Sequence, residues 1–147
     1  MENIQLTNVE ALANLQEGDK LVALKKDAIS RVQLAQYAGA SGDLNPLHLD
    51  DDFAKKVGLD GAIAHGMLIM GFLGEYVMKI AAQQAKVVNL KMRFGQMTFP
   101  GDEIECSGVV KEIFELNGQR HIELDLYATK GAGDVVGTGS ATLQLAK

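Results

Sequence analysis

The run Gly42-Asp43-Leu44-Asn45-Pro46-Leu47-His48 sets a carboxylate and an imidazole five residues apart in a chain of 147 residues. Gly42, Asp43, Asn45 and Pro46 are turn formers, so an irregular loop is expected from Gly42 to Leu49, with both side chains free to converge on one small volume. An Asp and a neutral His that share a water can polarise it and pass its protons, which is general acid/base chemistry. The same residues admit a plainer role, with Asp43 as an Asx turn former and His48 as a partly buried polar filler. Seventeen residues after His48, His65-Gly66-Met67 stands in the first turn of a long apolar stretch. A helix starting there would direct the free amide of Gly66 out of its positive end, and the missing side chain would let an oxygen approach closely. Such an N–H suits a carbonyl oxygen that gains negative charge. Close helix–sheet packing is the alternative reason for Gly66, and His65 alone reads as a structural hydrogen-bonding residue.

The elements that must hold these groups change character half-way along. A short strand is expected around Lys20 to Asp27, then a helix over Arg31 to Ala38 with Ser30 as its N-cap. Asp50, Asp51 and Asp52 favour a helix start, and that short helix should run to about Val57 and stop at Gly58. The long apolar helix follows Gly61, with Glu75 and Lys79 spaced i,i+4 on its exposed edge. Its glycines, Gly66, Gly71 and Gly74, would let sheet and backbone approach closely. From Lys86 the period becomes two. His121, Glu123, Asp125 and Tyr127 alternate with Ile122, Leu124, Leu126 and Ala128, and this places His121 on a wet face. The last segment alternates Val135, Gly137, Gly139 and Ala141, on the helix-facing side, with Val136, Thr138 and Ser140. Asn117-Gly118 and Gly131 to Asp134 mark hairpin turns. One apolar helix and one single-faced sheet must cover each other, so the fold class is α+β, a curved antiparallel sheet wrapped around one long central helix.

Composition bounds the function. One domain spanning 1–147 is expected, with 1–16 as a peripheral N-terminal segment. Fourteen Lys+Arg against 19 Asp+Glu give a net charge of −5, so there is no broad cationic field for nucleic acid or an anionic membrane. The stretch from Ile63 to Ala82 carries His65, Glu75 and Lys79, which argues against a membrane span. A single cysteine, Cys106, reads as a small core residue suited to a reducing compartment, and no signal peptide is apparent, so the cytoplasm is the expected location. Asp43, His48, His65 and the Asp50 to Asp52 run lack metal-ligand spacing, and no metal is expected.

Tyr37 to His48, followed by Ala64-His65-Gly66-Met67, resembles the signature of the MaoC-like family: the (R)-specific enoyl-thioester hydratases and (R)-3-hydroxyacyl-thioester dehydratases. Arg93-Phe94 and Phe99-Pro100-Gly101-Asp102 are similar to the family's central strand and turn, so the likeness covers about Glu17 to Leu145. The resemblance implies a single hot-dog fold and reversible syn hydration of trans-2-enoyl thioesters in fatty-acid metabolism. It implies Asp43 and His48 as the catalytic dyad, Gly66 as the oxyanion donor, and Asn45, His65 and Met67 as substrate-binding residues, with Asn45 also supporting the loop. It implies no cofactor beyond coenzyme A or acyl carrier protein as the substrate's carrier. A homodimer is the default partner arrangement, with a higher oligomer or a heterodimer with a second hot-dog subunit as alternatives. A hot-dog thioesterase and a non-catalytic acyl-thioester sensor or partner subunit are the competing functions.

Overall fold

The computed structural model describes residues 11–146. The chain runs through helix α1 (Ala11–Asn14), strand β1 (Leu24–Lys25), helix α2 (Arg31–Ser41), a 3-10 turn (Pro46–His48) and helices α3 (Asp51–Lys56) and α4 (Gly66–Ala81). Strands β2 (Ala85–Phe94), β3 (Ile104–Leu116), β4 (Gln119–Lys130) and β5 (Asp134–Leu145) follow. All pairings are antiparallel and the sheet order is β1-β3-β4-β5-β2. The α+β arrangement of one sheet and one central helix is therefore as expected.

Apolar positions spaced at helical period make α4 the axis of the core. Leu68, Ile69, Phe72, Leu73, Tyr76, Val77 and Ile80 are buried, and they meet Leu124, Leu126, Ala141 and Leu143 from the sheet in one cluster. A continuous buried stripe of this kind supplies most of the stabilisation of a helix, because each buried aliphatic side chain contributes about 1.5–3 kcal/mol. The Tyr76 hydroxyl keeps its bond inside the core by donating to the Val22 carbonyl at 3.0 Å.

Helix α4 begins at Gly66, so His65-Gly66-Met67 stands at its entrance as expected, and the backbone between Gly61 and Gly66 is claimed by other partners. The Ile63 amide donates to Leu47 O at 3.0 Å and the Ala64 amide to Thr98 O at 2.7 Å. Helix α2 runs to Ser41, three residues past the expected end, and stops at Gly42 with φ 78°. His121 is 6% exposed, not solvated. Its cross-strand partner Phe114 covers it, with ring centroids 5.1 Å apart. A bulge between Ala128 and Thr129 reverses the start of β5, so Val136 turns inward and Val135 outward. Gly71 faces open space, while a Cβ at Gly74 would only touch Leu90, so close approach accounts for neither as it does for Gly66. The terminal segment is not peripheral where it is described: Leu12 of α1 is wholly buried, and Arg120 donates to the Leu15 carbonyl at 3.0 Å. The rest of that segment, residues 1–10, lies outside the described residues.

Candidate functional site

The loop after α2 is shaped by its own short polar side chains. Ser41 Oγ accepts from the Asp43 amide at 3.1 Å, Asp43 Oδ1 from the Asn45 amide at 3.3 Å, and Asn45 Oδ1 from the Leu47 amide at 3.0 Å. Pro46 then starts the 3-10 turn, where its missing N–H costs nothing and its fixed φ helps. Asp43 thus spends one oxygen on the turn, and its other oxygen lies 3.7 Å from His48 Nε2. The turn-forming and proton-handling readings of Asp43 are therefore compatible.

His48 is oriented from behind. Its Nδ1 lies 2.7 Å from the carbonyl of Ile63. A carbonyl only accepts, so Nδ1 carries the proton, and in the neutral ring the Nε2 lone pair is left facing Asp43. The 3.7 Å gap between two acceptors has the dimensions for a water that donates to both. Beneath His48 lies His65, with ring centroids 3.7 Å apart and 24° between planes. His65 Nε2 donates to the Asp43 backbone carbonyl at 3.1 Å, and Tyr37 packs edge-on against the same ring. One buried imidazole therefore touches both members of the pair.

Gly66 opens α4 beside them, and among the described residues no group accepts its amide hydrogen. A Cβ here would lie 3.0 Å from the Phe94 ring, so the ring occupies the space that a side chain would take. Asp43, His65, Gly66, Met67 and Phe94, with Tyr37 and Ser41, line a cavity of about 410 Å³. Met67 is 55% exposed at its rim.

Charge pairs fix the surrounding elements. Asp51 accepts from the Ala62 amide at 2.9 Å and pairs with Arg31, tying α3 to α2 and to the segment that presents Ile63. The Ala62 hydrogen bond and the Arg31 guanidinium hold its carboxyl below the usual carboxylate range. Asp43, His48 and His65 offer ligand atoms within 4.8 Å of one another, while His48 Nδ1 and His65 Nε2 are each engaged with a backbone carbonyl.

The MaoC like domain family matches residues 13–131, which is most of the chain. The chain belongs to this family. Among curated proteins, this MaoC-like chain is 33% identical over 116 residues to peroxisomal multifunctional enzyme type 2 of Mus musculus, covering 78% of the chain and 15% of the mouse protein. It spans less than a third of the first curated relatives it matches. The (R)-specific enoyl-CoA hydratase of Aeromonas caviae is a full-length counterpart, 28% identical over 133 residues that cover 90% of this chain and 96% of that one. A solved structure of an (R)-hydratase from A. caviae superimposes with a TM-score of 0.79 at 26% identity, covering 90% and 98% of the two chains. The hot-dog fold follows.

All six site residues expected from sequence cluster in this MaoC-like site or in the loop that frames it. Asn45 acts on the loop backbone through its side chain. Three contributors were not singled out: the Ile63 carbonyl, the Tyr37 ring and the Phe94 ring. Tyr37 and Phe94 fall inside the family-like segments, but nothing in residue type or spacing marks a carbonyl as the partner of His48 or a ring as the cover of Gly66.

Proposed function

We propose that the protein catalyses the reversible syn addition of water to trans-2-enoyl thioesters, forming (R)-3-hydroxyacyl thioesters. One observation carries this reading: the Nε2 lone pair of His48 and a free oxygen of Asp43 face each other across a 3.7 Å gap, and Asp43 lines one cavity with Gly66, whose amide no described group accepts. Water held in that gap loses a proton to the dyad as its oxygen bonds to C3. The double-bond electrons shift toward the thioester oxygen, which the Gly66 amide and the positive end of α4 stabilise as an enolate. The dyad returns a proton to C2 on the same face, so the thioester is neither cleaved nor oxidised and the reaction needs no cofactor. Met67 and His65 border the bound thioester, and Asn45 holds the loop.

The test is to mix the protein with crotonyl-CoA and follow enoyl absorbance, free thiol and product configuration. Loss of absorbance without thiol, giving the (R)-product, is expected. Release of thiol would assign a thioesterase instead. Inertness toward both CoA and carrier-protein substrates would leave a sensor or partner subunit.

The working form is a dimer through β2. This ten-residue strand ends the sheet, pairs on one side only among the described residues, and exposes Val88 and Phe94. An edge of that length is a natural pairing surface for a second hot-dog chain. The protein works in the cytoplasm, where a reducing environment suits the free, buried thiol of Cys106. Among the described residues no helix is long and apolar enough to cross a membrane.

A further inference from the structure

The site is also gripped from the turn that follows β2. There the carbonyl of the buried Thr98 accepts from the Ala64 amide at 2.7 Å. Ala64 stands between His65-Gly66 and Ile63, whose carbonyl orients His48. Whatever fixes Thr98 therefore bears on the group that sets the His48 tautomer. An ion pair fixes it. Lys130, the last residue of β4, donates to the Met97 carbonyl at 2.6 Å and to Asp102 Oδ2 at 3.0 Å. The same carboxylate oxygen accepts from the Phe99 amide at 2.8 Å. Thr98 is thus clamped at both of its chain neighbours by one pair whose side chains are only 15% and 30% exposed. The Asp102 carbonyl accepts from the Ile29 amide and the Gly101 amide donates to the Ile29 carbonyl, which ties the turn to the start of α2. Neither Lys130 nor Asp102 lines the cavity that holds Asp43 and Gly66.

We propose that Lys130 and Asp102 are positioning residues for the hydration, acting through Thr98 and Ala64 on the tautomer of His48. The inference rests on the hydration reading only for its effect on rate. Without the ammonium, the Met97 carbonyl and the Asp102 carboxylate lose a shared donor in a half-buried setting, and the turn opens to recover partners from water. The Thr98 carbonyl then drifts from Ala64, and the Ile63 carbonyl from His48 Nδ1. Part of the ring takes the other tautomer, with its proton on Nε2 facing Asp43. In that state Nε2 has no lone pair to accept a proton from water.

The chain has three histidines, so nitrogen NMR of the imidazoles, with His48 assigned by its loss in His48→Gln, reads the tautomer without any substrate. At mildly alkaline pH the unaltered protein should show His48 protonated on Nδ1. Lys130→Met keeps the stem over the Phe99 ring and removes the charge. It should bring up an Nε2–H fraction at His48 and lower kcat on crotonyl-CoA about tenfold to a hundredfold, with KM held. Lys130→Arg, which keeps a cation in reach of both acceptors, should restore the signal and most of kcat. Should Lys130→Met not fold, Asp102→Asn decides by the same readouts, since it keeps an acceptor for Phe99 and loses the charge. An unchanged His48 signal overturns the proposal, and so does a loss confined to KM or one that Lys130→Arg shares in full. If the tautomer shifts and the unaltered protein does not hydrate crotonyl-CoA, the clamp stands and the hydratase reading falls; hydration with an unmoved tautomer has the opposite meaning.

Discussion

His48 and His65 stack face to face, 3.7 Å between ring centroids, and each commits one nitrogen to a backbone carbonyl. His48 is held by Ile63, in the segment leading into α4. His65 reaches back to Asp43, in the loop after α2. The two imidazoles thus cross-link the loop and the helix entrance that must cooperate in the proposed hydration. This relationship orients a base by backbone groups, with no second carboxylate required.

The dyad itself gives the first expected outcome. Asp43→Asn or His48→Gln should lower kcat on crotonyl-CoA by about 10²–10⁴-fold, the usual contribution of a positioned acid or base. KM and the circular dichroism spectrum should stay near those of the unaltered protein. Retention of more than a tenth of kcat in both variants would remove the pair from the chemistry.

His65 should act through its neighbours. His65→Phe keeps a ring under His48 and loses the hydrogen bond to the Asp43 carbonyl, so kcat should fall about tenfold to a hundredfold while KM holds. A change confined to KM would leave His65 only its place at the border of the thioester and remove it from the support of the dyad.

Gly66→Ala should be slow for a steric reason, because the new methyl meets the Phe94 ring at 3.0 Å. The backbone amide survives the substitution, so combining it with Phe94→Ala should recover activity toward that of Phe94→Ala alone. A double variant as slow as Gly66→Ala would show that Phe94 is not the obstacle.

Acid stability should follow Glu75. Burial acts to raise its carboxyl pKa, but hydrogen bonds from Lys26 at 2.7 Å and Lys79 at 3.2 Å prevail and hold it below the ordinary 4.5. A carboxyl with a lowered folded value stabilises the fold above pH 4.5, and this contribution disappears as pH falls through the folded value. The unfolding midpoint should therefore drop below pH 4.5, and Glu75→Gln should flatten that drop while lowering the plateau above it. The carboxylate is 37% exposed, so the effect should be modest. Equal slopes in the two proteins would refute the assignment.

Cys106 should be silent in the folded protein. Burial pushes its thiol up to about 12, and the side chain is fully covered. A chromogenic disulfide reagent at pH 8 should titrate no thiol until denaturant is added, and then one per chain. Prompt labelling of the native protein would contradict the packing of β3 against α4.

The acid/base pair, the glycine at a helix entrance and the helix-then-sheet order could all be read from the amino-acid sequence, because each rests on local physics. Turn residues force the Asp43 to His48 loop, apolar spacing marks α4, and period two marks β3 to β5. Where local physics was silent, expectations moved. Alternation alone put His121 and Val135 on the wrong faces, since a covering Phe114 and a one-residue bulge are cross-strand events. The capture of the Ile63 and Ala64 amides by Leu47 and Thr98 is likewise a contact between segments well apart in sequence.

By itself, then, the sequence determined which residues carry chemistry and which elements bear them. The tertiary structure decided how those residues are poised. The tautomer of His48 depends on the Ile63 carbonyl, the space beside Gly66 on the Phe94 ring, and the inward turn of Val136 on a bulge in the β4–β5 ladder. Each is a contact between residues on separate elements, set by packing across the fold rather than by local spacing, and for that reason no local pattern encodes it.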